Sequence, residues 1–400
     1  MDSPATHVLG NGEADVERSR LMTLPFALIT LTTLAYFTAL GSLLPTFPKY
    51  VEDELDGSGV VVGVAVGIFS ISAAILRPWA GRLGDRRGRR LLVVGGSLLV
   101  AISVAGYALV DNVPILIAMR IVTGAGEAAV FVGLATAVQD MAPADRRGEA
   151  ASYFSVALYA GLALGPSLGE RIAHAHGYHT AWLCAGVLAL VAAAFGSRTP
   201  VGELSDHKPA TVLHRAALRP GIVMFLGLIP FAGFSAFLAL YAKKIGVDNV
   251  GPVFAAYAGA VLTVRFFGAR LPDRLGWRRA SVVALAASSV AAFVLGAWAS
   301  IIGVYVAAGL LCIGQSLLFP ALFTAVVDDA PEAERSHAVG TFSVFFDLSN
   351  GVGAPILGLI VSLSNYRGAF FAAALIGASG FIALRFFRRS VDAKDALASA

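Results

Sequence analysis

Two ionisable residues interrupt one apolar stretch of the sequence, "MRIVTGAGEAAVF" at 119–131, namely Arg120 and Glu127. In a membrane-spanning helix each charge costs about 2.5 to 3.5 kcal/mol on insertion scales, so packing alone rarely explains it. The two residues are close to two helical turns apart, so they face the same way and are separated by about 10 Å, too far for a tight intrahelical ion pair. Each therefore needs another partner.

A partly desolvated carboxylate favours its neutral form and can exchange a proton with nearby water. We therefore predict that Glu127 exchanges a proton or binds a cationic group. Arg120 would keep the electrostatic potential at Glu127 steady, or would attract an anionic group. The alternative is a structural network in which the charges only compensate each other.

An internal repeat bears on this choice. A shift of 188 positions (265 minus 77) aligns several residues of the two halves: Arg77 with Arg265, Asp85 with Asp273, Arg86 with Arg274 and Gly88 with Gly276. The same shift places Glu127 on Gln315 and Arg120 on Ala308, so the ionisable pair belongs to one half. A packing requirement common to both halves would have kept similar residues, and the asymmetry favours a functional role.

The elements that position these residues are predicted to be membrane helices. The 400-residue chain is 57% hydrophobic and 14% charged, with mean hydropathy +0.75, too apolar for a soluble core of this size. Apolar stretches of roughly 20 residues each match one bilayer crossing. They predict an all-α membrane protein of twelve spans, near 22–44, 59–80, 91–110, 113–139, 149–169, 180–197, 220–242, 251–269, 280–299, 301–327, 339–362 and 368–387.

Basic residues predict the orientation of these spans. Of the 30 Lys and Arg, 22 fall on the side of the termini, which the positive-inside rule places in the cytoplasm. The domains are then a tail at 1–21, two six-helix halves at 22–197 and 220–387, a cytoplasmic linker at 198–219 and a tail at 388–400. The net charge of +4 reflects topology and indicates no nucleic-acid partner.

The loop "GRLGDRRGRR" at 81–90 resembles the signature loop of the major facilitator superfamily, Gly-x-Leu-x-Asp-Arg-x-Gly-Arg-Arg. The matching residues include Gly81, Asp85, Arg86, Gly88 and Arg89, and a second copy at 269–279 keeps Asp273 and Arg274. In this family the loop acts as a latch. The two glycines would permit a tight turn, and Asp85 would sit against the N-terminal end of a helix in the other half. A simple basic topology anchor is the competing interpretation.

A second motif, "GLALGPSLGE" at 161–170, matches the Gly-x-x-x-Gly-Pro-x-x-Gly pattern of the antiporter branch of this superfamily. Gly161, Gly165 and Gly169 recur every four residues and line one helix face, while Pro166 bends the axis. Ordinary glycine-mediated packing is the alternative. Glu170, which follows the motif, is predicted to be solvated.

The resemblance also suggests a gate. Spans two and eleven adjoin in this family, and Arg77 and Asp347 lie at about the same depth, so we predict an ion pair that forms when the cytoplasmic side is shut. Asp347 as a proton carrier is the competing hypothesis. The corresponding residue of the second half, Arg265, would face Tyr159 and make at most a hydrogen bond.

Arg120 and Gly124 resemble the Arg-x-x-x-Gly element linked to proton coupling in the family.

The function predicted is proton-coupled efflux of a small lipophilic or cationic compound or a metabolite by alternating access. The alternatives are a sugar or nutrient uniporter or symporter, and a sensor built on a transporter fold. Cavity candidates are Tyr36, Phe37, Phe231, Phe234, Gln315, Phe319 and Asn350.

No phosphate cradle or hydrolytic triad is present in the sequence, so we expect that the protein is not an enzyme, needs no cofactor and takes its energy from the proton gradient. His174, His176 and His179 are assigned to an exposed external loop in preference to a metal site. The expected setting is a monomer in the cell membrane.

Overall fold

A computed structural model of the protein describes residues 22–143, 146–199, 214–267, 271–331 and 335–398. Within these ranges the side chains at 148, 271–273, 335–337 and 388–398 are not described. The predicted tail at 1–21 and most of the predicted linker, 200–213, therefore lie outside the described residues.

The described chain is built from α-helices. Their bounds are α1 Leu24–Asp53, α2 Gly59–Arg87, α3 Arg89–Gly106, α4 Val113–Met141, α5 Arg147–Gly196, α6 Arg215–Lys244, α7 Gly251–Phe267, α8 Leu271–Ala297, α9 Ile301–Asp329, α10 Arg335–Leu363 and α11 Tyr366–Ala398. Ten helical stretches within the described ranges are long and apolar enough to cross a membrane, and α7 is a shorter apolar helix. The predicted all-α membrane fold is confirmed.

The helix α5 contains two of the predicted spans. Its 50 residues extend about 75 Å at 1.5 Å per residue, more than twice a hydrocarbon core of about 30 Å. The backbone leaves helical geometry at Gly177 (φ 84°, ψ 166°), which separates the two parts. The described residues thus form eleven helices, although each predicted span has a helical counterpart. The loop predicted around His174, His176 and His179 is wrong, because only Gly177 interrupts the helix there.

Several predicted helix ends are also wrong. The first span does not end at 44, because α1 continues through Pro45 and Pro48 to Asp53. Membrane helices tolerate interior prolines where neighbouring helices and Ser or Thr side chains satisfy the freed backbone groups, and this part of α1 is packed against the protein. At the other ends, α6 begins five residues before 220, whereas the apolar part of α11, Tyr366–Phe387, ends where the last span was predicted to end and the helix continues to Ala398.

The two halves, α1 to α5 and α6 to α11, meet along two helix pairs. On α2, a Cβ added to Gly67 would lie 2.7 Å from Cδ of Pro355 on α10. On α7, a Cβ added to Gly251 would lie 2.7 Å from Cα of Ser167 on α5. We call the end of the bundle where α2 turns into α3 the arginine-rich side, and the other end the opposite side.

The glycine motif at 161–170 forms the contact between α5 and α1. Gly161 packs against Phe37, and a Cβ at Gly165 would lie 2.5 Å from the carbonyl oxygen of Thr38 and 2.7 Å from Cα of Gly41. Gly169 lies equally close to the backbone of α1 at Ser42. The predicted glycine face and close helix approach are confirmed, with Pro166 inside the helix.

Replacing Gly165 with alanine should therefore destabilise the protein. The added methyl group meets backbone atoms that cannot move independently, and overpacking of this kind costs about 1–3 kcal/mol. Thermal unfolding in detergent measures the loss. Gly81→Ala is the matched control, because a Cβ there meets no atom within 4 Å and alanine has the higher helix propensity. Equal melting temperatures for the two variants would contradict the packing described for α1 and α5.

Candidate functional site

An arginine and two carboxylates meet between the halves. Nη2 of Arg77, on α2, lies 3.1 Å from Oε1 of Glu127 on α4, and its Nη1 lies 2.5 Å from Oδ2 of Asp347 on α10. The two acids are 6% and 5% exposed, and the guanidinium also lies 4.6 Å from the ring centroid of Phe131. We call Arg77, Glu127 and Asp347 the central triad. The predicted ion pair between Arg77 and Asp347 is present, and Glu127 is a second partner that the sequence did not indicate.

Small residues bring the three helices close enough for this contact. Gly124 faces Ser72 and the backbone of Phe69 so closely that no Cβ would fit, which lets α4 approach α2. On the other face of α2, Gly67 and Gly351 let α10 approach. Arg77 and Glu127 therefore belong to the first half, whereas Asp347 belongs to the second, and the triad crosses the interface between them.

Arg120 has a different environment from Glu127. Its Nε donates to the carbonyl oxygen of Ala65 over 2.9 Å, and its guanidinium lies 4.3 and 4.5 Å from the ring centroids of Phe47 and Phe69. It is 6% exposed. The two residues make no ion pair with each other, as predicted, but each has its own partners on neighbouring helices.

The corresponding arginine of the second half also reaches across the interface. Nη2 of Arg265, on α7, donates to the hydroxyl of Tyr159 on α5 over 3.1 Å, and its guanidinium lies 4.7 Å from the tyrosine ring centroid. The predicted hydrogen bond is confirmed. Gln315, which corresponds to Glu127, is buried and makes no hydrogen bond within the described part of the chain.

Most of the aromatic cavity candidates pack within the helix bundle. Tyr36, Phe37 and Phe234 are buried, and the hydroxyl of Tyr36 has no hydrogen-bond partner in the described ranges although it lies near the central triad. Phe231 and Phe319 are half-buried and stack on other rings. Asn350 is half-buried and donates weakly to the carbonyl of Phe346 over 3.5 Å.

The signature loop joins helices of the first half. Nη1 of Arg89 lies 2.6 Å from Asp85, and its Nε lies 3.2 Å from Asp140 at the end of α4. Gly88 makes the turn with φ 91°, and Gly276 has φ 71° at the same place in the repeat. The turn assigned to Gly81 is wrong, because this residue lies inside α2.

The latch itself stays a prediction. Arg86 and Arg274 are exposed on the arginine-rich side. The side chains of Asp273 and of the first residues of α10 lie outside the described set. A contact of Asp85 with the start of α10 therefore has no described counterpart.

A second polar cluster closes the opposite side. Nζ of Lys49 lies 2.6 Å from Oε1 of Glu170 and donates to the carbonyl oxygen of Asp248 over 2.7 Å. The other carboxylate oxygen of Glu170 accepts from the backbone N–H of Gly251, the first residue of α7, over 2.6 Å. Glu170 is 1% exposed, so the prediction that it is solvated is wrong. We call Lys49, Glu170 and the start of α7 the opposite-side clamp.

Further contacts between the halves surround this clamp. Three of them join the end of α1 to the second half: Lys243 with Asp53 at 2.5 Å, Lys244 with Glu52 at 3.6 Å and Tyr366 with Glu52 at 2.6 Å. Sequence reasoning missed this region, because its charges stand near predicted span ends, where exposed loops normally carry charge.

Comparisons with known proteins agree with this architecture. The family model described as Major Facilitator Superfamily matches residues 29–312 and 221–400. An uncharacterised MFS-type transporter of Salmonella typhimurium is 31% identical over 361 residues, which cover 86% of this chain and 92% of the relative. The chain belongs to the major facilitator superfamily. It is therefore a multi-pass membrane protein of the transporter type.

Solved structures show the same fold at low sequence identity. A bacterial homologue of the human lysosomal transporter Spinster, in an inward-facing and unoccupied conformation, has a TM-score of 0.73 and 16% identity, and the match covers 91% of this chain and 97% of that one. A peptide transporter POT in complex with sulfate has a TM-score of 0.78 and 14% identity, with coverage of 91% and 94%. These likenesses concern the fold alone.

Reversing either charge of the Arg77–Asp347 pair should strongly destabilise this major facilitator protein. Breaking a buried ion pair costs about 3–5 kcal/mol, because an uncompensated charge remains. The comparison is made in a Glu127→Gln background, because an acid at position 77 would otherwise lie beside Glu127. In that background the double variant Arg77→Asp with Asp347→Arg restores opposite charges across the interface, and its melting temperature should recover most of the loss. Reversal at the exposed Arg146–Glu149 pair is the control and should change little. Two additive losses in the double variant would refute the pairing.

Glu170→Gln should loosen the opposite side. The neutral amide leaves Lys49 without its buried counterion and weakens the bond to the start of α7. A cysteine introduced at Ser167, which packs against Gly251, reports on this in a background without Cys184 and Cys312, and maleimide should label it several-fold faster in the variant. Glu54→Gln, an exposed change on the same side, is the control. Unchanged labelling would show that the clamp does not hold the halves together.

Proposed function

We propose that the protein is a secondary active transporter that couples proton entry to the efflux of a small amphipathic compound or metabolite by alternating access. The arginine-rich side would face the cytoplasm, as the positive-inside rule predicts. The observation that supports this most is the central triad, in which one guanidinium serves two buried carboxylates from different halves.

The charge of the triad explains why it would bind a proton. With both acids ionised, Glu127 and Asp347 contribute −2 and Arg77 contributes +1, so a net charge of −1 remains in a buried site. An uncompensated buried charge is costly, and uptake of one proton removes it. The triad can therefore alternate between a protonated and a deprotonated state within the proton gradient.

The position of the proton would decide whether the halves are tied together. If Asp347 is protonated, Arg77 keeps only Glu127, which belongs to its own half, and the interface link is lost. If Glu127 is protonated, Arg77 pairs with Asp347 and the link across the interface is strengthened. In this scheme Asp347 is both gate residue and proton acceptor, which unites the two hypotheses that the sequence left open.

The two polar clusters would act in turn. The opposite-side clamp and the central triad lie at different depths, and alternating access requires one connection to open while the other holds. Glycines let α2 and α10 touch along the part of α2 that precedes Arg77, so this helix contact can serve as the pivot. The glycine face between α5 and α1 would keep the first half rigid during this movement, and its resemblance to the antiporter pattern supports efflux over uptake.

Glu127→Gln should abolish proton coupling. The purified protein is reconstituted in liposomes with a pH-sensitive dye inside, and a panel of amphipathic compounds is added. We expect compound-driven proton movement with the unmodified protein and at least a tenfold slower signal with the variant, because the remaining Arg77–Asp347 pair is neutral and has no excess negative charge that would favour proton uptake. Glu149→Gln, at an exposed acid on the arginine-rich side, is the matched control and should retain the signal.

Asp347→Asn and Glu127→Gln should also shift the conformation in opposite directions. Spin labels at positions 87 and 331, in a background without native cysteines, measure the distance between the halves on the arginine-rich side. The first variant should lengthen it, whereas the second should shorten it. Transport that is indifferent to the pH gradient in all variants would refute proton coupling and favour a uniporter for a nutrient.

A further inference from the structure

Arg265 is a cation between the halves without an acidic partner in the described ranges. Its contacts there are the hydroxyl and the ring of Tyr159, and its Nε is buried without a hydrogen bond. A guanidinium has five N–H donors in a fixed fork that matches a carboxylate. The site therefore has unused donors and an unbalanced positive charge.

The repeat shows what is missing at this place. Arg77 and Arg265 are related by the shift of 188 positions, and the same shift relates Glu127 to Gln315 and Asp347 to Tyr159. Both carboxylates that neutralise the first arginine are thus replaced by neutral hydrogen-bonding residues at the second. The second half keeps the arginine of the triad and lacks its two acids.

The surroundings of Arg265 are apolar and aromatic. Tyr257 and Cys312 lie close enough to interact with it electrostatically. The ring of Tyr257 stacks on the half-buried Phe231 at 5.7 Å with an interplanar angle of 28°. A ligand with its charged group on Arg265 would thus have an apolar surface beside it.

We propose that Arg265 binds an oxyanion group, most simply a carboxylate, of the transported molecule, and that this group occupies the place that acidic side chains occupy around Arg77. Tyr159 accepts from Nη2 of the guanidinium, and the remaining N–H donors are left for the ligand. The apolar body of the ligand lies along Tyr257 and Phe231. This substrate class, an amphipathic anion, rests on the proposed transport function and selects one class among the lipophilic compounds, cationic compounds and metabolites that the sequence left open.

The placement of the site connects binding to the movement of the halves. Arg265 is on α7 and Tyr159 is on α5, so their contact crosses the interface as the Arg77–Asp347 pair does. A carboxylate bound to the remaining donors attracts the guanidinium more strongly than the neutral hydroxyl of Tyr159 does, so binding weakens the hydrogen bond to Tyr159. The ligand would thereby change a contact between the halves, which a transporter needs if its substrate is to alter the conformational equilibrium.

Binding is tested in detergent at neutral pH without any gradient. The probes are benzoate and octanoate, each paired with its amide and with the corresponding amine, and calorimetry measures the affinity. We expect the carboxylates to bind and the amides and amines to bind at least tenfold more weakly. Arg265→Gln should weaken carboxylate binding by about 10- to 100-fold, as expected for loss of a charge-assisted hydrogen bond, and Arg265→Lys should fall between.

A second variant tests the site without removing the arginine. Gln315→Glu places a carboxylate at the position that corresponds to Glu127. This carboxylate can pair with the guanidinium of Arg265 and use the donors that the ligand needs. We expect this variant to remain folded and to lose carboxylate binding. Gln315→Met, of similar size and neutral, should keep it.

The outcomes separate this proposal from proton coupling. If amines or amides bind as tightly as carboxylates, if no carboxylate binds, or if Arg265→Gln leaves their affinity unchanged, the anion site is refuted. None of these results bears on Glu127, whose test requires a pH gradient. Conversely, loss of proton coupling in every assay would leave carboxylate binding at Arg265 measurable.

Discussion

The structure depends on the balance of charge around one partly buried arginine, Arg77, whose side chain is 19% exposed. Arg77 holds a carboxylate of its own half and a carboxylate of the other half, and neither acid has enough water nearby to remain charged at low cost without it. Gly124 on α4 lets that helix approach α2, and Gly67 and Gly351 let α2 approach α10. These close approaches bring both carboxylates within reach of one guanidinium.

The two halves share a backbone plan and differ in charge. The turn glycines at 88 and 276 adopt the same positive φ, and the arginines at 77 and 265 lie on equivalent helices. Around the first arginine the protein supplies two acids, and beside the second it supplies the hydroxyl and ring of Tyr159. The two halves thus use one scaffold with different numbers of acidic groups beside the equivalent arginine, as far as the described residues extend.

The opposite side is held by a different kind of interaction. Glu170 satisfies the first N–H of α7 and the ammonium of Lys49 together, so the start of a helix in one half is bonded to a buried ion pair in the other. Such a clamp is favourable only while its groups stay paired. Separation would leave a buried charge without its counterion and the first N–H of a helix without an acceptor. The clamp and the central triad therefore give the interface two discrete attachment levels.

The sequence by itself determined the membrane class, the helical architecture and the internal repeat. These follow from the lengths of apolar stretches and from residues that recur at a fixed offset, which can be read along the chain. The pairing of Arg77 with Asp347 was predicted only with the family resemblance, which implies that spans two and eleven lie side by side. The sequence could not determine that Glu127 shares this arginine, that Glu170 is buried, or that α1 continues through Pro45 and Pro48. Those outcomes were decided by tertiary structure, because the partner of a side chain depends on how closely two distant helices approach and on the space between them.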